Sequence, residues 1–599
     1  MNQWILLKKG ADFQTIGKKY HIDPLIVRLI RNRGIETEQE IEQYLYAAKE
    51  NFHDPFLLKD MDKACELLVQ KLLQERNIRV IGDYDIDGVC STAILLKGLQ
   101  FLGAKADAVI PHRVQDGYGL NRKLIDSAYE DGIDTVVTCD NGIAAREEIA
   151  YAASLGMTVV VTDHHEVPYE ETEGKRKWLL PDAAAVVDPK REDCAYPYAG
   201  ICGAVVAYKL VCAMVQENYI GRLSMQDGWK DRWEKLDREL LQLAAFATVG
   251  DVMELKGENR ALVKEGLQLM ANTESVGLKA LLSVMGLWGQ PVTAYHLGFL
   301  LGPCINATGR IDTASRALEL LMADQEAEAM RLAGELKAMN DSRKTYTEQG
   351  TKEAIEQIEQ GMHDGESVYV IYLPKCHESI AGIVAGRIRE RYHRPTLVVT
   401  DTEEGLKGSG RSIDAYHMYE ELSKVRDIFT KFGGHAQAAG FSLPKEKLPD
   451  LTKRLNENCT LTETDFREKI YIDADMPFSY MTPKLLDEFS LLEPFGNGNT
   501  KPLFARKNLL LLGARLLGAE GKVGKYRVMD TNQGVAELTL FFDKNVAFRN
   551  FLIDKYGEKK VQEAFHGKGG EIRFSAAFYP QWNEYQGKRT IQFIMEDYC

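Results

Sequence analysis

The stretch Ile78-Arg79-Val80-Ile81-Gly82-Asp83-Tyr84-Asp85-Ile86-Asp87-Gly88-Val89-Cys90-Ser91-Thr92 decides how this chain is read. A short apolar run stops at a glycine and three alternating aspartates, and a helix then starts near Gly88 and runs on through Ala93-Ile94-Leu95-Leu96. The strand pattern AKADAVIPHR at 104–113 completes a βαβ unit. The same grammar returns with DTVVTCD at 134–140, a helix over 144–155, and TVVVTD at 158–163. Near-continuous β-branched strands alternating with helices predict a parallel sheet covered on both faces, with ligands held beyond the carboxyl ends of the strands.

Working outward, residues 1–50 form a small helical segment around Pro24-Leu25-Ile26-Val27-Arg28-Leu29-Ile30, and 51–312 carry the α/β pattern just described. Residues 313–360 lack proline and are rich in Ala, Glu, Leu and Lys, which predicts a long connecting helix with breaks near Gly334 or Gly350. Residues 361–464 hold a second α/β segment, with strands VYVIYL and PTLVV and a glycine-rich turn GLKGSGRSI. From 465 to 599 short alternating strands separated by glycines predict a small barrel of about five strands. The expected class is an α/β multidomain protein: a parallel-sheet domain, a connecting helix, a second α/β domain and a C-terminal β-barrel.

Composition bounds the function. At 599 residues the chain has room for about three to four domains. Its 45% hydrophobic and 27% charged residues, with mean hydropathy of −0.28, fit a globular chain and exclude fibrous or wholly disordered classes. No run approaches the roughly 18 apolar residues of a membrane span. The start MNQWILLKK is apolar too briefly for an export signal, so a cytoplasmic protein is expected. Ten cysteines without a CxxC pair point to reduced thiols, not a disulfide framework or structural zinc. The net charge is −14, yet residues 501–599 hold 16 Lys and Arg against 11 Asp and Glu, so nucleic acid could be bound locally there.

The chemistry lies at the strand ends. Asp83, Asp85 and Asp87 follow the first strand, Asp140 ends another, and Asp163-His164-His165 ends a third. Asp251 closes an apolar run in which a lone carboxylate would be costly without a cation. Carboxylates with one or two imidazoles suit Mn²⁺ or Mg²⁺. So many carboxylates repel one another unless cations neutralise them, and two ions sharing a bridging water would hydrolyse a phosphoester. Asp140 is the candidate bridge, His165 a supporting residue or proton donor, and the choice between His164 and His165 as ligand stays open. Asn306, Arg310, Ser409, Arg411 and His435 offer donors for phosphate oxygens. In the barrel, Tyr526, Phe542, Tyr579, Trp582 and Tyr585 are available for base stacking, Trp582 and Tyr585 foremost.

In order, GDYDIDG (82–88), VTCDNG (137–142), TDHH (162–165) and TVGDVMEL (248–255) resemble the four motifs of the DHH phosphoesterase superfamily. Downstream, GPCINATGR (302–310), GSGRS (408–412), FGGHAQAAG (432–440) and EPFGNGN (493–499) resemble its RecJ exonuclease branch over nearly the whole chain. That resemblance implies a DHH catalytic domain, a DHH-associated domain and an OB-fold barrel. It implies a 5′-to-3′ exonuclease on single-stranded DNA in recombination and repair, with single-strand-binding protein and a RecQ-type helicase as partners; a multidomain chain with its own channel is expected to work as a monomer. The implied ligands are Asp85, Asp87, Asp140, His164 and Asp251, with Asp83 and His165 close by. Cys304 and Cys376 stand where relatives carry a basic residue and a tryptophan, a departure expected to weaken substrate contact. Two other readings compete: a DHH nano-RNase or cyclic-dinucleotide phosphodiesterase, which would leave the barrel unexplained, and a non-catalytic DNA-binding scaffold, which would have lost metal ligands.

Overall fold

The computed structural model describes all residues except 1, 114, 115, 118, 173, 174, 404, 519, 520 and 586, and the side chains of Thr172, Lys175 and Tyr585 also lie outside what is described. The chain forms two compact units, Ala47–Phe466 and Met1–Tyr46 with Arg467–Cys599. Among the described residues no helix is long and apolar enough to cross a membrane.

In the first unit five strands form a sheet in the order Lys105–Val109, Asn77–Ile81, Thr135–Cys139, Thr158–Thr162, Ala185–Val187, every pairing parallel. The register sets Ile81 beside Thr138 and Cys139 beside Thr162, so the residues following each strand share one rim. Helix Ile86–Phe101 is buried almost all round, which explains why its sequence is apolar without an amphipathic period. The helix Glu326–Glu359 runs about 50 Å at 1.5 Å per residue. It is unbroken at both glycines, and the break falls earlier, after a separate helix Ser315–Met322. Leu336 packs into the core of the parallel-sheet domain and Ala354 against Ile371 and Val384 of the next domain, so one rod joins two cores.

Residues 369–443 build a five-stranded sheet ordered Lys431–Gly434, Ala438–Leu443, Gly405–Arg411, Thr396–Thr402, Tyr369–Tyr372. The glycine-rich segment expected as a turn is therefore a strand. Its reason is packing: a Cβ on Gly408 would lie 2.2 Å from Phe441 Cζ, so glycine there makes room for the ring on the neighbouring strand.

In the second unit, strands Phe504–Leu517, Val523–Met529, Val535–Phe541, Lys588–Tyr598 and Arg573–Tyr585 pair in that order, and the last pairs back to the first. The ring is closed, with a parallel contact between Val535–Phe541 and Lys588–Tyr598, as in an OB-fold. Helices Phe542–Tyr556 and Glu558–Phe565 sit between its third and fourth strands, where the sequence reading placed only strands. The N-terminal segment also differs from expectation. It opens with a strand, Gln3–Leu6, that pairs in parallel with Lys469–Ile472, and its helices pack into the barrel unit's core. Asn499 of the EPFGNGN motif ties them down: Nδ2 donates to the carbonyls of Leu492 and Pro494, while Oδ1 accepts from Tyr44 and Arg33.

Candidate metal centre and phosphate site

Asp85 caps the helix Ile86–Phe101, its Oδ1 accepting from the amides of Asp87 (2.9 Å) and Gly88 (3.1 Å). Asp87 is in turn held by the amides of Gly203 (2.7 Å) and Ala204 (2.8 Å) at the start of helix Gly203–Met214. Both carboxylates are thus fixed by positive helix ends. Asp251 is the opposite case, since it caps the carboxyl end of helix Trp229–Gly250, where a negative charge is disfavoured without a cation. Asp140 adopts φ of +59°, a left-handed conformation that an aspartate tolerates and that carries its side chain over the sheet rim.

His164 gathers these groups. Its Nε2 lies 3.1 Å from Asp140 Oδ1, 3.4 Å from Asp87 Oδ2 and 3.9 Å from Asp251 Oδ2. Three sets of ligand atoms each converge within 4.8 Å: Asp83, Asp85 and Asp140; Asp87, His164 and Asp251; and Asp140, His164 and His165. Asp140 belongs to the first and third sets, and through His164 it touches the second.

The residues fit a pair of hard cations. Asp83 Oδ1 is buried without a hydrogen-bond partner. Burial, then the charge of Asp85, pushes the Asp83 carboxyl up to about 8; burial, then Asp87, does the same to Asp251. Asp85 and Asp140 rise for the same two reasons, burial and then Asp87. Carboxylates that reject protons so reluctantly in isolation are what divalent cations would neutralise.

Asp163 departs from the sequence reading, which grouped it with the converging acids. Its Oδ2 accepts from the amide of Ile143 (2.9 Å), and its Oδ1 from the amides of His164 (2.7 Å) and His165 (3.2 Å). The same Oδ1 lies 2.7 Å from His165 Nδ1. Its oxygens are committed to shaping the turn and to His165, which stays 45% exposed at the side chain. Against the burial that would lower it, this hydrogen bond lifts the His165 imidazole to about 9.

The phosphate donors lie in the same unit. Arg310 Nη1 donates to Ser379 O at 2.7 Å and Ser379 Oγ returns a bond to Arg310 O at 2.9 Å, joining helix Gly302–Ile311 to helix Glu378–Tyr392. Burial, then Arg113, Arg343 and Arg411, lowers the Arg310 guanidinium to about 9. Among the described residues no ion pair joins Arg310, Arg343 or Arg411 to a carboxylate, and the acidic charge felt at Arg310 is that of Asp85 on the rim. Arg411 and Ser409 lie on strand Gly405–Arg411, and His435 on the hairpin whose Ala438 pairs with Arg411. Asn306 Oδ1 accepts from the amide of Ile86 at 2.8 Å and so braces the acidic loop itself. Trp582 belongs to the barrel unit, where its Nε1 donates to Asp487 (3.0 Å) and the Arg589 guanidinium covers its ring at 3.9 Å.

Sequence reasoning missed Arg113, Arg343 and Asp188. Asp188 follows the strand Ala185–Val187 and obeys the same strand-end rule; it is fully buried with Oδ2 unpaired, and burial, then Asp163, raises it to about 8. Cys304 is buried, its thiol 3.4 Å from Leu300 O and accepting from Asn340, whose Oδ1 in turn accepts from Arg343 of the arginine cluster.

Residues 77–248 match the DHH family N-terminal domain, 365–460 the DHHA1 domain and 472–597 the RecJ OB domain. Fold and site together define a phosphoesterase of the DHH class, with its associated domain and a nucleic-acid-type barrel. Two relatives named single-stranded-DNA-specific exonuclease RecJ narrow this further. That of Bacillus subtilis is 34% identical over 98% of this chain and 72% of its own, and that of Escherichia coli 33% identical over 100% and 99%. The chain belongs to the RecJ family. The crystal structure of Thermus thermophilus RecJ in complex with Mn²⁺ superposes with a TM-score of 0.78 at 27% identity, covering 100% of this chain and 79% of that one. Its Mg²⁺ complex matches with a TM-score of 0.73 at 26% identity, covering 100% and 78%.

Proposed function

We propose that this protein hydrolyses single-stranded DNA from the 5′ end, releasing 5′-mononucleotides, with Mn²⁺ or Mg²⁺ as cofactor. The observation that carries the reading is one unit holding convergent acid and histidine residues beside an arginine cluster that, among the described residues, forms no ion pair through Arg310, Arg343 or Arg411. Asp83, Asp85, Asp87, Asp140, His164 and Asp251 would hold two cations, with Asp140 between them. Ions held there would supply a water of lowered pKa and neutralise charge on the phosphodiester. Arg310 and Arg411, with Ser409 and His435 beside them, bind the terminal phosphate and set the scissile group over the acidic rim. Asn306 keeps the Asp85–Asp87 loop in register. His165, held protonated by Asp163, donates a proton to the leaving 3′-oxygen.

The barrel unit, with its local positive charge and Trp582, gives the rest of the strand a place to bind. By family resemblance the enzyme serves DNA repair and recombination, with single-strand-binding protein and a RecQ-type helicase as partners, and we read it as a monomer of the cytoplasm. The test is product analysis with Mn²⁺ on single strands labelled at one end or the other, beside duplex DNA and a dinucleotide. Immediate release of labelled mononucleotide from the 5′-labelled single strand supports the reading. A preference for dinucleotides moves the chain to the nano-RNase class, and stoichiometric DNA binding without hydrolysis makes it a scaffold.

A further inference from the structure

In helix Gly302–Ile311 the positions through Arg310 that are not buried are Pro303, Asn306 and Arg310, one stripe at spacings of three and four. The stripe continues upstream across the π-helical turn His296–Leu301, where Leu297 and Leu301 are buried and the opposite side carries Phe299 and, just before it, Tyr295. These two rings are 68% and 57% exposed, and they stack with centroids 5.1 Å apart and planes 25° from parallel. A stacked, solvent-facing aromatic pair serves no core. Its position is specific. The turn that bears it packs near Val249, two residues before Asp251, and the stripe then passes Asn306 at the acidic loop and ends at Arg310 in the arginine cluster. At 1.5 Å per residue, Phe299 stands about 10 Å along the axis from Asn306 and about 16 Å from Arg310, on the side away from the phosphate donors.

We propose that Tyr295 and Phe299 form the stacking platform for the bases of the retained strand from the second nucleotide 3′ of the scissile phosphate onward. The inference rests on the exonuclease reading above. With the terminal phosphate at Arg310 and the reacting phosphate over the acidic rim, a strand following this helix lays its retained nucleotides on the aromatic end. Every base offers a π-face, so the platform grips any sequence, and it holds the shortened strand while a mononucleotide leaves. Tyr295 and Phe299 are positioning residues: they reach the substrate's bases and not the reacting atoms.

The test uses the full-length Mn²⁺-loaded enzyme, Tyr295→Ala, Phe299→Ala and the double variant, with a 5′-phosphorylated single strand of about twenty nucleotides and a dinucleotide too short to reach the pair. The expected result is a KM for the long strand raised about tenfold or more in the double variant, with kcat and dinucleotide turnover unchanged within about twofold. Phe299→Trp should restore most of the loss, and 2-aminopurine placed at the second nucleotide of the retained strand should lose its stacking quench only in the alanine variants. An unchanged KM, an equal loss on the dinucleotide, or a shift in oligomeric state as the sole effect overturns the platform. Wild-type enzyme inactive on single strands overturns the exonuclease reading instead, and this inference falls with it.

Discussion

His165 Nδ1 stands 2.7 Å from Asp163 Oδ1, so the first residue of the Asp-His-His triplet serves the third, while the second sets its Nε2 among Asp140, Asp87 and Asp251. Asp163 itself is held below the ordinary carboxylate range: against its burial, the His165 hydrogen bond and charge keep it ionised. The pair's contribution to stability is full between the two ordinary pKa values, is lost upward as pH passes about 9, and is lost downward as Asp163 protonates.

Asp163→Asn should therefore lower the His165 pKa. If His165 is the proton donor, the basic limb of kcat/KM moves acidward by about one unit or more, and turnover at pH 8 falls about twofold or more. The measurement is the pH–rate profile of both proteins under saturating Mn²⁺. A basic limb that stays in place removes His165 from proton transfer.

Asp140→Asn isolates the central carboxylate. Asparagine accepts the left-handed backbone of position 140, which alanine would strain, so the exchange removes charge with little change of fold. Hydrolysis should fall by at least about a hundredfold while single-strand affinity, carried by the arginine cluster and the barrel, changes less than about threefold. Parallel loss of binding and turnover would mean that the metals anchor the strand.

Much of this site could be read from residue order because a parallel sheet delivers every strand end to one rim. Asp83, Asp85, Asp87 and Asp140 needed only the β-branched runs before them, and Asp188 was missed though the same rule covers it. The arginine cluster was only half legible. Arg310 and Arg411 sit in motifs, whereas Arg113 and Arg343 come from a loop and from mid-helix, where an arginine ordinarily means a solvated surface. The helices 542–565 were hidden for another reason: the first begins directly after a strand, and their apolar positions pack on the barrel in a pattern that alternation obscures. Asp163 shows the remaining limit, since no spacing tells whether a carboxylate faces a metal or its own neighbour.

Gly203→Ala tests how tightly the rim is built. A Cβ at 203 would lie 2.8 Å from Asp140 Cβ and 3.0 Å from its Cα, while the amide of residue 203 holds Asp87. The added methyl must displace Asp140 or the helix start, so calorimetric Mn²⁺ affinity should fall about tenfold or more, with Tm lowered by less than about 4 °C. Unaltered metal affinity would place the Asp140 side chain outside the metal contacts.

The last prediction joins protons to metal. The folded, metal-free protein holds the Asp83 and Asp251 carboxyls up to about 8, so between the unfolded value and that pH the native state carries protons that the unfolded chain has released. Stability must then fall as pH rises, and the His165 pair, lost through about 9, adds to the same trend. Cations displace those protons, so Mn²⁺ binding strengthens over the same interval. In EDTA the Tm should drop between about pH 6.5 and 8.5, and the Tm gain from Mn²⁺ should be larger at the higher pH. Asp83→Asn should flatten both slopes, because it removes a proton-binding group at the buried rim. An EDTA Tm that rises over that interval, or a Mn²⁺ gain that shrinks, would show that these carboxylates already carry their charge without a cation.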